Sequence, residues 1–184
     1  AYRPGLGVID ATQALARLRD EGLQWVLRSD VDQCFPSVPV PHARRLLDAL
    51  ITDPDLLHVI DQLLARPYAS PRRGIRRMAG LPQGCPLSPL LANLVLADVD
   101  AKLLDVGFPI VRDADDIAVP TTSVDEAWEA ARILSASLRK LSMELGAEDT
   151  AVMSFEQGFT FLGEDFGARY PPVLEEVRVE EPER

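Results

Sequence analysis

A chain of 184 residues, 47% apolar and 26% charged, has the composition of an ordinary globular protein and is long enough to bury one real core. No apolar run approaches the roughly 18 residues needed to span a bilayer and no signal peptide opens the chain, so no membrane role is expected. Its net charge of −10 argues against non-specific nucleic-acid binding by the whole chain, and its two cysteines, Cys34 and Cys85, are too few for a disulfide framework and fit a reducing, cytoplasmic setting.

Residues 1–7 read as a loop. Apolar residues at Val8, Ile9, Ala11, Leu15 and Leu18 predict a helix over Val8–Asp20 that Gly22 ends. Leu23–Arg28 reads as a buried strand delivering Ser29-Asp-Val-Asp32 at its end. Pro36, Pro39 and Pro41 break the chain before a helix over His42–Ile51. Another helix follows Asp53-Pro54, with Asp53 as N-cap and Pro54 at the first helical position. Tyr68–Gly80 has no clear period and reads as a twisted hairpin or irregular loop. Arg66, Arg72, Arg73, Arg76 and Arg77 cluster in and just before it.

Leu81-Pro-Gln-Gly-Cys-Pro-Leu-Ser-Pro89 is a turn-rich lead into a strongly apolar helix over Leu90–Leu104, with Ser88 as its N-cap. Ile110-Val111 and Ile117-Ala118-Val119 then flank Asp113, Asp115 and Asp116, which predicts a hairpin with carboxylates at its tip. Ser123 caps an amphipathic helix over Val124–Leu145, with Ala127, Ala131, Leu134, Leu138 and Leu141 on one stripe. Ala151–Phe155 and Phe159–Leu162 read as short strands, with Gly163 and Gly167 as breaks, and the chain from Pro171 reads as a Pro/Glu-rich linker. This interleaving predicts an α+β fold: a small, largely antiparallel sheet with helices packed on one face.

Two acidic sites, Asp30-Val-Asp32 and Asp115-Asp116, end predicted strands. If those strands are neighbours, three carboxylates converge at one sheet edge. Like charges crowded there cost free energy unless a cation joins them, and hard divalent cations take oxygen ligands. Such a site suits two-metal phosphoryl transfer, with ions roughly 3.5–4 Å apart. Taken singly, each signal has a bland reading. The acidic tip could be a solvated turn, Phe35 core, Gln83-Gly84 any turn, and the arginines a solvated face; the cysteines read as packing residues and His42 and His58 as partnerless.

Together, these segments resemble the reverse transcriptases, particularly those of group II introns and their bacterial relatives. Ser29-Asp-Val-Asp-Gln-Cys-Phe-Pro-Ser-Val-Pro39 is similar to the first catalytic motif of the polymerase palm. The resemblance makes Asp30 and the Val31 carbonyl metal ligands, and Phe35 the gate against a ribonucleotide 2′-OH. Gly80-Leu-Pro-Gln-Gly-Cys-Pro-Leu-Ser-Pro-Leu-Leu-Ala-Asn93 resembles the family's Pro-Gln-Gly motif, which implies that Gln83 and Gly84 contact the incoming dNTP and template. Ala114-Asp-Asp116 matches the core of the Tyr-x-Asp-Asp box, making Asp115 and Asp116 catalytic with Asp30. Phe161-Leu-Gly163 resembles the strand motif that grips the primer end, and Tyr2-Arg-Pro-Gly5 the segment before the palm.

The resemblance implies a palm over residues 1–168, two Mg²⁺ ions (Mn²⁺ able to substitute), an RNA template and a DNA primer. Nucleic-acid contacts are expected at Arg72, Arg73, Arg76, Arg77, Leu162 and Gly163. Residues 169–184 are expected to be an acidic linker or tail. The fingers and thumb have no counterpart, so the chain is expected to belong with further domains: a maturase or thumb, or a CRISPR spacer integrase, which the ending Gly163–Pro172 resembles.

Two residues depart from the family pattern. Asp113 stands where the family usually has Tyr, and Asp149 where relatives often have the Lys thought to protonate departing pyrophosphate. Each adds negative charge where phosphates would lie, so a catalytically impaired palm acting as a binding or assembly module is the alternative expectation.

Overall fold

The computed structural model describes residues 2, 5–65, 68–70, 74–76 and 80–174, with 68–70 and 74–76 described by backbone alone. In chain order the elements are α1 (Val8–Asp20), β1 (Trp25–Ser29), α2 (Cys34–Ser37), α3 (Val40–Leu50), α4 (Pro54–Leu64), β2 (Tyr68–Ser70) and β3 (Gly74–Arg76). They continue with α5 (Ser88–Asp105), β4 (Val111–Asp113), β5 (Asp116–Thr121), α6 (Val124–Lys140), β6 (Ala151–Ser154), β7 (Phe159–Phe161) and β8 (Glu164–Phe166). β4, β5, β1 and β6 form one antiparallel sheet in that order, while β2–β3 and β7–β8 are separate hairpins.

The central strand β1 is apolar at successive positions because it is buried on both faces. Side chains alternate across a strand, so Val26 and Leu27 enter different cores. Leu27, Ile117 and Val119 pack with Leu91, Val95, Leu96 and Val99 of α5 and Leu134 and Leu138 of α6. Val26 and Ala118 face Leu15 and Ala16 of α1 and an aromatic group of Phe155, Phe159, Phe161 and Phe166. The expected α+β architecture therefore holds, with α5 and α6 as its helical layer, and α1 with the β7–β8 hairpin covers the second face.

Several local expectations change. Ser88 is not the N-cap of α5 but its first residue; its hydroxyl donates to Pro82 O at 2.5 Å, and Leu87 takes the cap position. The helix foreseen as far as Leu145 stops at Lys140, because Ser142 takes a left-handed φ of 58° and Met143 N–H closes back on Leu138 O. Leu145 instead bridges to Val31. β8 was unforeseen: Leu162 and Gly163 form a two-residue turn with φ values of 53° and 79°, which folds three more residues back onto β7. Asp53 caps α4 as expected, accepting from Asp55 N–H and Leu56 N–H.

Arg19 ties the chain's far end to α1. Its almost fully buried guanidinium donates to Gly167 O and Pro171 O, pairs with Asp20, and lies 5.9 Å from the Phe155 ring centre. Among the described residues, no helix is long and apolar enough to cross a membrane.

Candidate active site

Strand pairing brings the two acidic motifs together. Ser29 at the end of β1 pairs with Ile117, so Asp30 follows directly beside Asp116. Val31 N–H then donates to Asp115 O at 3.2 Å. On the other flank, Gly146 N–H donates to Asp30 O at 3.1 Å and Asp32 N–H to Glu144 O at 3.0 Å. The Asp30–Asp32 backbone is thereby fixed between the acidic hairpin and the segment before β6.

The hairpin tip is a two-residue turn, Ala114-Asp115, closed by the pairing of Asp113 with Asp116. Ala114 has φ 56°, a left-handed conformation that side-chain-bearing residues adopt at some cost. Arg112 holds it there. Nη1 donates to Ala114 O at 2.8 Å and Asn93 Oδ1 at 2.9 Å, while Nε and Nη2 grip Asp100 at 2.8 and 2.7 Å. The side chains of Arg112 and Asp100 are 4% and 15% exposed, so this bidentate pair is largely desolvated. Sequence reading missed all three residues. The available signal was Asn93 and Asp100, two polar residues two turns apart on α5, both only partly exposed.

The carboxylates disturb one another. Burial, then Asp149 and Asp115, hold Asp30 above the ordinary carboxylate range. Asp116 is raised by burial first and then by Asp115, with smaller contributions from Asp30 and Asp113, against the opposing charge of Arg28. Asp149 thus sits close enough to Asp30 to act as an added like charge. Nearby Cys34 is pushed up to about 12, mainly by burial and then by Asp115, which makes it an inert packing thiol.

Asp30 Oδ1 is buried without a hydrogen-bond partner. Hard carboxylate oxygens, one unsatisfied and others mutually repelling, fit a divalent cation in kind. Among the described residues, however, no three His, Cys, Asp or Glu side chains are placed so that they could hold a metal ion as they stand.

Phe35 lies on the single-turn helix α2, half-buried against the core. Leu81 N–H donates to Phe35 O at 2.7 Å, and a Cβ on Gly80 would fall 2.1 Å from Pro36 O. This close approach seats the Pro-Gln-Gly turn beside Phe35, leaving Gln83 and Gly84 exposed, Gly84 at φ 81°. Leu162 and Gly163 form the tip of the separate β7–β8 hairpin, which shares no ladder with the carboxylate-bearing strands. Arg66, Arg72, Arg73 and Arg77 lie outside the described residues, as does the side chain of Arg76. The histidines have neighbours: His42 Nδ1 lies 3.2 Å from Arg45 Nη2, while its buried Nε2 makes no hydrogen bond and stands 3.6 Å from Asp98 Oδ2, and His58 Nε2 lies 2.9 Å from Gln62 Nε2.

An antiparallel sheet bearing this arrangement beside a Pro-Gln-Gly turn is that of a polymerase palm. The family described as "Reverse transcriptase (RNA-dependent DNA polymerase)" matches residues 1–166, and the chain belongs to it. It is similar to the group II intron-encoded protein LtrA of Lactococcus lactis subsp. cremoris, 27% identical over 123 residues that make up 67% of this chain and 20% of that protein. The fold superposes on telomerase from Candida albicans, solved with a telomeric RNA fragment, with a TM-score of 0.70 at 15% identity, covering 86% of this chain and 32% of that one. A chain of a partial Cas6-RT-Cas1–Cas2 complex is 34% identical over a match covering 76% of this chain and 25% of that one; its TM-score of 0.39 carries no structural weight. The chain thus spans about a fifth of its intron-encoded relative and a third or less of these structural ones.

Two outcomes are expected. Arg112→Met leaves the Asp100 carboxylate buried and uncompensated, and costs about 3–5 kcal/mol in urea unfolding; adding Asp100→Leu recovers most of it. For Asp116, a folded-state value above the unfolded one means that protonation favours the fold. This contribution is complete below the ordinary carboxylate value and is lost as pH rises through the raised one. In metal-free protein, Asp116→Asn therefore raises the melting temperature by a few degrees near pH 7 and leaves it unchanged near pH 3.

Proposed function

We propose that this chain is the palm of an RNA-directed DNA polymerase that adds dNTPs to a primer 3′-OH by two-metal phosphoryl transfer, as part of a larger protein. The observation that carries this reading is the β1–β5 register, which sets Asp30 beside Asp115 and Asp116 at one sheet edge. Asp30, Asp115, Asp116 and the Val31 carbonyl would hold two Mg²⁺ ions, with Mn²⁺ as a substitute. When bound, the ions lower the pKa of the attacking hydroxyl and stabilise charge on the leaving group.

The protein's own contribution is placement. The backbone bonds on both flanks of Asp30–Asp32 and the Arg112 clamp fix the main chain that carries the carboxylates. Phe35, seated beside Gln83-Gly84, would bound the sugar of the incoming nucleotide. The arginine cluster at Arg72, Arg73, Arg76 and Arg77 would meet template or primer phosphates, with Leu162-Gly163 at the primer end. The further domains would supply the remaining duplex contacts, which an acidic palm lacks. A CRISPR spacer integrase or a maturase is the fused or associated partner this reading favours.

A second reading is favoured by Asp149, whose charge acts on Asp30 more strongly than any other neighbouring charge, and by Asp113 acting on Asp116. In it the palm is catalytically impaired and serves as a binding or assembly module.

Primer extension on an RNA template with Mg²⁺ or Mn²⁺, using the protein with its flanking regions restored, separates the two. Synthesis that Asp115→Asn abolishes supports the polymerase, and no synthesis sinks it. In the same assay Asp113→Tyr is expected to raise the rate several-fold, since it removes a carboxylate from the phosphate path; an unchanged or lower rate refutes that role for Asp113.

A further inference from the structure

We infer that Gly146 is a positioning residue for Asp30: its missing side chain leaves a hollow that receives the Asp30 carboxylate and holds it back from Asp115 and Asp116. Gly146 is buried and its φ lies outside the left-handed region, so backbone freedom does not explain the glycine. Close approach does. A Cβ at this position would stand 1.9 Å from Asp30 Oδ1 and 3.0 Å from its Cγ, and 3.4 Å from Asp149 Oδ2.

The turn that carries Gly146 cannot easily retreat. Gly146 O accepts from Asp149 N–H at 3.3 Å, Thr150 N–H at 3.0 Å and the Thr150 hydroxyl at 2.7 Å. Thr150 Oγ1 in turn lies 2.7 Å from Ser29 Oγ, and Gly146 N–H donates to Asp30 O. Turn and strand end are thus stitched together on both sides of the contact. A side chain at 146 must displace the carboxylate rather than the turn.

Sheet order sets the direction of that displacement. β1 lies between β5 and β6, so the turn before β6 and the acidic hairpin flank Asp30 on opposite sides. A carboxylate driven out of the hollow moves toward Asp115 and Asp116. Its place in the hollow also accounts for the absence, among the described residues, of three acids arranged to hold a metal ion, and for the buried Oδ1 that no donor meets. Gly146 therefore holds the three carboxylates apart in the metal-free protein, and a cation must draw Asp30 across to assemble them.

The consequence for a cation rests on the two-metal reading above, but the contact itself does not. The test is a double-mutant cycle on the full chain, read by thermal unfolding with and without Mn²⁺. Without metal, Gly146→Ala is expected to lower the melting temperature by about 4 °C in the presence of Asp30, and to have little effect in an Asp30→Ala background, where the contacting atoms are gone. An equal loss in both backgrounds overturns the inference. With Mn²⁺, Gly146→Ala is expected to bind several-fold more tightly than the parent by titration calorimetry, because Asp30 is already displaced toward its partners. Equal or weaker binding than a metal-binding parent shows that the hollow does not hold Asp30 back and overturns that part of the inference. If neither protein binds Mn²⁺ while the cycle behaves as expected, the positioning contact stands and the two-metal reading falls.

Discussion

The guanidinium of Arg112 sits almost out of solvent, gripping Asp100 with two nitrogens and reaching Asn93 and the Ala114 carbonyl with the third. These partners pose two different problems. Asp100 and Asn93 are half-buried polar groups on α5 that need a counterpart, and Ala114 is an alanine in a left-handed turn that needs restraint. One planar cation with a fixed fork of donors meets both needs. Without it the tip bearing Asp115 would lose its side-chain tie to α5.

That edge is held together against its own charge. Asp30 and Asp116 are raised by burial and by neighbouring acids, in a chain already at −10. Main-chain bonding opposes this tension: the β1–β5 ladder, Val31 to Asp115, and Gly146 to Asp30. Sites whose local electrostatics oppose the fold are where a structure departs from consistent design, and such departures mark function more often than stability. The two cores on either face of β1 provide the rigid platform that keeps the strained edge in place.

Much of this was legible in the residues. Period-3.6 stripes placed α1 and α6, Asp53-Pro54 marked the start of α4, and β-branched runs around an acidic break gave the β4–β5 hairpin. The errors share a cause. The end of α6 and the N-terminus of α5 were set by distant or non-repeating contacts: Leu145 recruited by Val31, and Ser88 turned to Pro82. β8 needed a turn whose first residue is a leucine at positive φ, which no turn propensity announces.

The sequence by itself determined which residues are candidates for the chemistry, because carboxylates, a Pro-Gln-Gly turn and an aromatic in fixed order are chemical identities. It also raised the expectation that Asp113 and Asp149 depart from the pattern of the family that the motifs resemble. Only the tertiary structure decided that the acidic tip is no solvated loop: strand register sets it beside Asp30, and a buried arginine fixes its turn. It also showed that Asp30 rests against Gly146, because a missing Cβ has meaning only when something occupies its place.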